Sequence, residues 1–534
     1  MLRRLAALTV VVSATLTVVP AATSAPPDPD STVVRTDAGY VRGVAEGDVV
    51  RFSGVPYAAP PTGDRRWTAP RPPRPWTGVR DATAPAASCP QGGFGEGPEP
   101  IVVGDEDCLY ADIVAPARPR HGGRLPVVVW LHGGNLTAGA AAEFDGARLA
   151  SGGDVVVVTI NYRLGALGFL STGALDKEGT TSGNYGLLDQ AEALRWVRRN
   201  AAAFGGDPRR VTLAGQSAGA RSVCTHLASP GSRRLFQQAI LQSGACANPV
   251  MGKAEADRKG AEAIGTLGCA DAGGATQVAE CLRAKPLSDL VLKLGGPRLP
   301  VYAERREDPW GPVAGTPFLP RQPIDAIRRG SAADIPILVG STHDEMRGIV
   351  MGRMPALTAE EYETEVHSAF GADAPRVLRE YPVGDFATPG VALATVLTDW
   401  GGGIGSCPVL ETSRTAARHA PVYAYELLED SEQFQGEVSY GAYHGWDLPF
   451  LWDTAIPFSQ YPDFAEMTAP QRRLSRAMIG YWTTFAHRGD PNRAGLPTWT
   501  RMRPWSTSVL GLDSDSIGRT PLAADHRCGF WDRL

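Results

Sequence analysis

The strongest constraint on this chain is the stretch 211–220, in which an apolar, β-prone run leads into Gly215-Gln216-Ser217-Ala218-Gly219 and then into helix-forming residues. A strand that turns into a helix within so few residues holds the intervening serine in a strained conformation above the strand end. Gly215 and Gly219 carry no Cβ, so the two backbones can approach closely. The Ala218 N–H would lie at a helix N-terminus, where it can donate to an oxyanion. The pattern predicts a nucleophile elbow centred on Ser217; an incidental serine in a strand–loop–helix connection is the alternative.

The first 24 residues have the layout of a secretory signal. Arg3 and Arg4 precede an apolar stretch, 5–19, that is too short to span a bilayer comfortably, and small residues at 22–24 suit cleavage. An uncleaved N-terminal anchor is the alternative. We predict a signal peptide over 1–24, a single domain over 25–534 and a secreted mature protein without a stable membrane span.

Composition is that of an ordinary globular protein and weighs against charged partners. The chain has 534 residues, of which 43% are hydrophobic and 20% charged, and its formal net charge is −5. This small negative charge argues against nucleic acid or an anionic membrane surface as a partner. Oligomeric state cannot be derived from these features.

Alternating strands and helices organise the middle of the chain. The apolar run 125–131 has the character of a strand buried on both faces, 154–160 is predicted as a second buried strand, and 235–241 and 335–339 as further parallel strands. A helical pattern covers 185–204. This alternation predicts an α/β domain with a mostly parallel sheet and a site at the carboxyl ends of its strands. Further predictions are a small antiparallel sheet over 32–50, mainly helical segments over 251–336 and 351–421 that cap the sheet, a late strand over 422–428 and an amphipathic helix over 465–487.

A serine nucleophile requires a base within hydrogen-bond reach and an acid that fixes the tautomer of that base. On scaffolds with this elbow the chain order is serine, acid, histidine, so the base should lie late in the chain. His444 is flanked by Gly441 and Gly445 in a loop that could approach the serine. By contrast, His226 would lie on the helix behind the elbow, and His419 and His487 lie in or beside predicted helices. We predict His444 as the base; a surface-loop histidine is the alternative.

The acid is expected after a strand that lies between Ser217 and His444 in the chain. The run Ile337-Leu338-Val339-Gly340 ends such a strand, and Asp344 and Glu345 follow it. Spacing alone does not separate these two carboxylates, and a solvated acidic loop is the alternative for both.

Several further motifs, in this order, resemble the type B carboxylesterases, the cholinesterase-like branch of the α/β-hydrolases. The resemblance covers nearly the whole chain after the signal and implies the α/β-hydrolase fold, in which a large, mostly parallel sheet has helices on both faces, a small N-terminal antiparallel sheet and helical insertions over the site. The motifs are Phe52-Ser-Gly-Val-Pro-Tyr-Ala with Pro60-Pro61, Glu106-Asp-Cys-Leu-Tyr110, Asn161-Tyr-Arg-Leu-Gly165, Gly183-Asn-Tyr-Gly-Leu-Leu-Asp-Gln190, Phe204-Gly-Gly-Asp-Pro208, the elbow, Ala239-Ile-Leu-Gln-Ser-Gly244, Gly441-Ala-Tyr-His444 and Asp490-Pro-Asn492.

Carried over residue by residue, the resemblance implies roles for the site. The acid is Glu345, and the oxyanion donors are the backbone N–H groups of Gly134, Asn135 and Ala218. Asn135 stands where the family usually has a third glycine, and its side chain would narrow or polarise the pocket. The loss of one oxyanion donor typically costs about 10²–10³ in kcat, so the rate should be sensitive to this residue.

The resemblance also implies supporting contacts. Ser243 and Asp447 correspond to groups near His444 and Glu345, while Arg66 with Glu106 and Arg163 with Asp189 correspond to structural ion pairs. The implied disulfides are Cys89–Cys108, Cys269–Cys281 and Cys407–Cys528, and we hypothesise a fourth between Cys224 and Cys246.

The predicted function is that of a secreted serine carboxylesterase that hydrolyses small-molecule esters through an acyl-enzyme. No cofactor is expected, and no metal, since the cysteines form no Cys-x-x-Cys pattern. The sequence disfavours choline esters as substrates, because Phe94 is the only aromatic residue in 90–107, where cholinesterases carry an aromatic platform. A non-catalytic extracellular binding protein on the same fold is the alternative, and the presence of Ser217, Glu345 and His444 argues against it.

Overall fold

The computed structural model describes residues 32–94, 99–120, 122–176, 181–295, 310–401, 404–452 and 467–534. The predicted signal peptide, 1–24, lies outside these residues, and so does the start of the helix predicted from residue 465.

A large central sheet dominates the described residues. Its strands follow the order β20-β19-β16-β15-β12-β11-β9-β10-β8-β4-β3. All neighbours from β10 through β9, β11, β12, β15 and β16 to β19 pair in parallel, and antiparallel strands complete both edges. The strands are β1 (Val33–Arg35), β2 (Tyr40–Arg42), β3 (Val44–Glu46), β4 (Val49–Pro56), β5 (Val79–Asp81), β6 (Gln91–Phe94), β7 (Pro100–Val103), β8 (Tyr110–Pro116), β9 (Leu125–Leu131), β10 (Val156–Ile160), β11 (Gly206–Gln216), β12 (Gln238–Gln242), β13 (Met251–Gly252), β14 (Val313–Ala314), β15 (Ile337–Thr342), β16 (Val422–Leu427), β17 (Phe434–Gln435), β18 (Val438–Ser439), β19 (Val509–Leu512) and β20 (Ile517–Thr520).

Helices cover both faces of this sheet, as the alternation of the sequence predicts. The helices are α1 (Ala147–Gly153), α2 (Gly165–Phe169), α3 (Gly173–Asp176), α4 (Tyr185–Asn200), α5 (Ala218–Ala228), α6 (Lys253–Thr266), α7 (Ala275–Arg283), α8 (Pro323–Arg328), α9 (Arg347–Arg353), α10 (Ala359–Phe370), α11 (Ala374–Glu380), α12 (Pro389–Trp400), α13 (Ser406–Ala416), α14 (Ala469–Arg488), α15 (Leu522–Asp525) and α16 (Cys528–Trp531).

The sequence of strand β9 is apolar throughout because the strand contributes side chains to core layers on both faces of the sheet. Side chains alternate between the two faces of a strand. Val127 and Val129 belong to a core layer shared with α4 and α5, whereas Val128 and Trp130 belong to the layer shared with α1 and α14. A continuous apolar run is therefore needed to fill both layers, and the prediction of a mostly parallel sheet buried on both faces is confirmed.

The small N-terminal sheet is formed by β1, β2 and β5. β1 and β2 pair antiparallel, as predicted, and β5 adds a parallel strand to β2. Strand β3 and the start of β4 were predicted to belong to this small sheet. Instead, β3 pairs with β4 and β4 pairs with β8, so both strands extend the edge of the central sheet. The segment 32–50, which the sequence predicts as one small sheet, is therefore divided between two sheets.

Four disulfides and two internal ion pairs connect distant segments. The bonded pairs are Cys89–Cys108, Cys224–Cys246, Cys269–Cys281 and Cys407–Cys528, in agreement with the implied bridges and the hypothesised fourth. Arg66 contacts Glu106 at 2.6 Å, and the buried Arg163 contacts Asp189 at 2.7 Å.

Among the helices of the described residues, none has the length and apolar character required to cross a membrane.

Candidate active site

Ser217 lies between the end of β11 and the start of α5, in a conformation that few non-glycine residues adopt. Its backbone angles are φ 58° and ψ −122°, a combination that costs of order 1–3 kcal/mol. A Cβ added to Gly219 would lie 2.0 Å from the carbonyl oxygen of Leu131, so this position requires glycine. The Ser217 N–H donates to the Gln242 carbonyl at 2.8 Å, which anchors the turn to β12. The sequence-predicted elbow is present.

His444 and Glu345, which are 99 residues apart, lie in direct contact. Glu345 Oε2 is 2.6 Å from His444 Nδ1, and its carboxylate is completely buried. The other carboxylate oxygen accepts a hydrogen bond from the Thr342 N–H at 2.9 Å, which orients the group. A proton on Nδ1 that is donated to Glu345 leaves Nε2 as the acceptor, the tautomer that a general base requires.

The imidazole lies beside the elbow. His444 Nε2 is 3.2 Å from the side-chain Nε2 of Gln216, the residue that immediately precedes Ser217. This contact was not predicted from the sequence; the only signal for it is that Gln216 is the second residue of the pentapeptide. Because the Gln216 amide nitrogen can only donate, it too favours the tautomer with an unprotonated Nε2.

Asp344, the alternative acid, contacts other groups than the His444 imidazole. It contacts Arg347, lies 3.4 Å from His343 and accepts a hydrogen bond from the Ala442 N–H at 3.1 Å. Burial alone would raise the pKa of Asp344, but these partners lower it below its ordinary value. The two carboxylates that sequence spacing leaves equivalent are therefore separated by the fold, and only Glu345 contacts the imidazole.

The loop after β9 approaches Ser217 closely. A Cβ added to Gly133 would lie 3.2 Å from the Ser217 Cβ, so this loop packs on the elbow. Gly134 and the exposed Asn135 follow with positive φ angles of 92° and 54°. Asparagine tolerates this left-handed region better than most residues. With Ala218 as the first residue of α5, the three predicted oxyanion donors lie on segments that meet at Ser217.

Behind the loop, His132 is a structural residue. Its ring stacks on Tyr162 with centroids 4.3 Å apart, and the Tyr162 hydroxyl donates to the His132 carbonyl at 2.7 Å. Burial lowers the pKa of His132 to about 4, which keeps the ring neutral. A neutral, stacked ring next to Gly133 provides a rigid support for the loop.

Asp447 lies in a buried hydrogen-bond network near Glu345 and His444. Its Oδ2 accepts from Gln242 Nε2 at 2.7 Å and from the Tyr425 hydroxyl at 3.0 Å. Burial, with a further contribution from the charge of Glu345, raises the pKa of Asp447 to about 6. Ser243 is also buried, but its hydroxyl has no hydrogen-bond partner among the described residues, so its role beside His444 and Glu345 stays a prediction.

Replacing Asp447 with asparagine is expected to change how stability depends on pH. Since the folded-state pKa of about 6 lies above the ordinary 3.8, the folded protein binds more protons than the unfolded chain between these values. The wild type should therefore lose stability, on the order of 1–3 kcal/mol, as pH rises from about 4 to about 6. Asp447→Asn should lack this loss, as measured by thermal unfolding across the pH range. Parallel pH curves for the two proteins would contradict the prediction.

A mostly parallel sheet with helices on both faces, and a strained serine between a strand and a helix, define an α/β-hydrolase. The chain belongs to the carboxylesterase family, whose pattern matches residues 30–531. It is 36% identical to the fumonisin B1 esterase of Sphingopyxis macrogoltabida, with 89% of this chain and 85% of that protein aligned. It is 34% identical to the para-nitrobenzyl esterase of Bacillus subtilis, over 90% of this chain and 95% of that one.

A mammalian relative has a similar sequence identity to this chain. The pyrethroid hydrolase Ces2e of Rattus norvegicus is 33% identical over 95% of this chain and 90% of its own length. A solved PNB esterase superposes with a TM-score of 0.76 at 32% identity, and covers 93% of this chain and 99% of the solved one. The protein is thus a carboxylic ester hydrolase.

Proposed function

We propose that this carboxylesterase works through an acyl-enzyme on a Ser217–His444–Glu345 triad. His444 takes the Ser217 proton as the hydroxyl attacks the ester carbonyl, and the N–H groups of Gly134, Asn135 and Ala218 bind the oxyanion. His444 then protonates the departing alcohol. In the second half, His444 activates a water molecule that releases the carboxylic acid and regenerates the serine.

The observation that carries this proposal is the 2.6 Å contact between the buried Glu345 carboxylate and His444 Nδ1, with Nε2 directed at the elbow. Base and acid thus have the relation that serine activation requires. The contact between Nε2 and Gln216 would be exchanged for one with Ser217 on substrate binding, in keeping with the looser hydrogen bonds of many unliganded active sites.

The proposed substrates are uncharged carboxylic esters with short to medium acyl chains. The names of the relatives indicate that esters of very different shapes are hydrolysed on this fold, and they support the class rather than a particular compound. Phe94 is the only aromatic residue in the segment 90–107. The segment thus lacks an aromatic platform for a quaternary ammonium group, which disfavours choline esters.

We also propose that the mature protein is secreted. The N-terminal 1–24 has the basic start and short apolar stretch of a signal peptide. All eight cysteines are paired in disulfides, and such bonds persist in oxidising compartments outside the cytosol.

Labelling with diethyl p-nitrophenyl phosphate tests the nucleophile. Attack of an activated hydroxyl on phosphorus expels p-nitrophenolate and leaves a stable diethylphosphoryl group on that oxygen. We expect one adduct per chain, on the peptide that contains Ser217, together with loss of esterase activity. Ser243 is a matched internal control, since it also has a positive φ, 53°, after a parallel strand. Labelling of another residue, or failure to label the folded protein, would contradict the proposal and favour a non-catalytic site.

A further inference from the structure

A second cluster of ionisable side chains lies behind the loop that carries Glu345. His526 Nδ1 is 2.6 Å from Asp399 Oδ1, and its Nε2 contacts Glu426 Oε1. His343 lies alongside, with its ring centroid 4.9 Å from that of His526. One potential ligand atom from each of His343, Glu426 and His526 lies within 4.8 Å of the others. We propose that these three side chains form a binding site for one divalent ion of the zinc class, with Asp399 as the outer partner of His526.

The donor set is the first support for this site. Two imidazole nitrogens and one carboxylate oxygen suit Zn²⁺, and leave a fourth position for water. Bonds of about 2.0–2.1 Å in a tetrahedral arrangement separate the ligand atoms by roughly 3.3–3.5 Å. The ligand atoms already lie within 4.8 Å of one another, and His526 Nε2 and Glu426 Oε1, which are in direct contact, have to move apart to admit the ion.

The outer contacts have the form found around zinc-bound histidines. Such a histidine usually donates its second ring N–H to a carboxylate, which fixes the ring and its tautomer. Asp399 accepts from His526 Nδ1 in this way, and the Tyr381 hydroxyl holds the other Asp399 oxygen at 2.8 Å. His526 Nε2 is therefore directed inward, toward Glu426.

An orphaned oxygen is an independent observation. Glu426 is completely buried, and its Oε2 has no hydrogen-bond partner among the described residues. A buried carboxylate oxygen without a partner is costly. An ion bound by both carboxylate oxygens of Glu426 would satisfy it. The two positive charges of the ion would balance the two carboxylates of Glu426 and Asp399 while both imidazoles stay neutral.

The exposure of the three side chains indicates how an ion would enter the site. The His343 side chain is 38% exposed, whereas those of His526 and Glu426 are 3% and 0% exposed, so an ion would reach the site past His343. The three ligands come from the loop after β15, from β16 and from the C-terminal segment. Because Glu345 follows His343 by two residues, a bound ion would brace the loop that holds the acid of the triad.

Titration with Co²⁺, a spectroscopic substitute for Zn²⁺, tests this site on the full-length protein after treatment with a chelator. We expect visible d–d absorption that saturates at one ion per chain, disappears on addition of Zn²⁺ and is accompanied by a higher melting temperature. His343→Ala, which alters a partly exposed side chain, and Glu426→Gln, which conserves size, should each weaken binding by at least about tenfold. The exposed His367→Ala on α10 is the matched control and should bind as the wild type does.

Three results would overturn the assignment: no Co²⁺ absorption in the wild type, unchanged absorption in both variants, or loss of the absorption in His367→Ala. Since the readout is metal binding rather than turnover, it is independent of the proposed catalytic mechanism.

Discussion

Replacing Ser217 with alanine is expected to reduce kcat for p-nitrophenyl esters by about 10⁴-fold or more, with little change in KM. The substitution removes the attacking oxygen while the oxyanion loop and the imidazole keep their places. Alanine also removes a hydroxyl that the helix does not use as a cap, because Ser217 makes no side-chain capping bond to α5. Stability should therefore be nearly unchanged. The measurement is turnover of a series of esters of increasing acyl length, which also reports the chain-length preference of the wild type.

Ser222→Ala provides the matched control for this variant. Ser222 lies on the same helix, and its hydroxyl donates to the Ala218 carbonyl at 3.0 Å. Ser222 is buried, and its hydroxyl also accepts from Gln190 Nε2 at 3.3 Å, whereas His444 Nε2 lies against Gln216. Most of the wild-type kcat should remain in this variant. Substantial turnover by Ser217→Ala, after exclusion of wild-type contamination, would leave the acyl-enzyme proposal without its nucleophile.

The elements that the sequence predicted well are those whose signals are local. The run 125–131 coincides with β9, since an apolar strand of this length must fill both core layers. The ends of other elements depend on partners. β15 continues to Thr342 because that residue pairs with Leu427 of β16, and α14 begins at Ala469 because Thr468 and Gln471 form a capping box.

Contacts between distant residues were harder to predict. His526 and Asp399 are 127 residues apart, and no sequence pattern connects them. Asp344 and Glu345 show the opposite difficulty, since adjacent residues in a loop differ in direction only once the backbone is folded. The resemblance to a known family selected Glu345, whereas the residues alone did not. The orientation of Gln216 toward the imidazole likewise depends on where the His444 loop comes to lie.

Exchanging each of the two neighbouring carboxylates for its amide is expected to have very different effects. Glu345→Gln should lower kcat by about 10³–10⁴-fold, because an amide in place of the carboxylate neither holds the required tautomer nor stabilises the imidazolium. KM should change little, since the Glu345 carboxylate is fully buried and contacts the imidazole rather than the surface. The measurement is steady-state turnover of a p-nitrophenyl ester at the pH optimum of each protein.

Asp344→Asn is the control that separates catalysis from loop stability. Asp344 contacts Arg347 on the following helix and accepts the Ala442 N–H, so its loss disturbs the same loop without removing the contact to His444. We expect a lower melting temperature and a kcat reduced far less than in Glu345→Gln. An equal loss of kcat in both variants would mean that Glu345 acts only through the conformation of the loop. A large loss in Asp344→Asn alone would transfer the role of the acid to Asp344. The separation of the two effects follows from the 2.6 Å contact that Glu345 alone of the two makes with the imidazole.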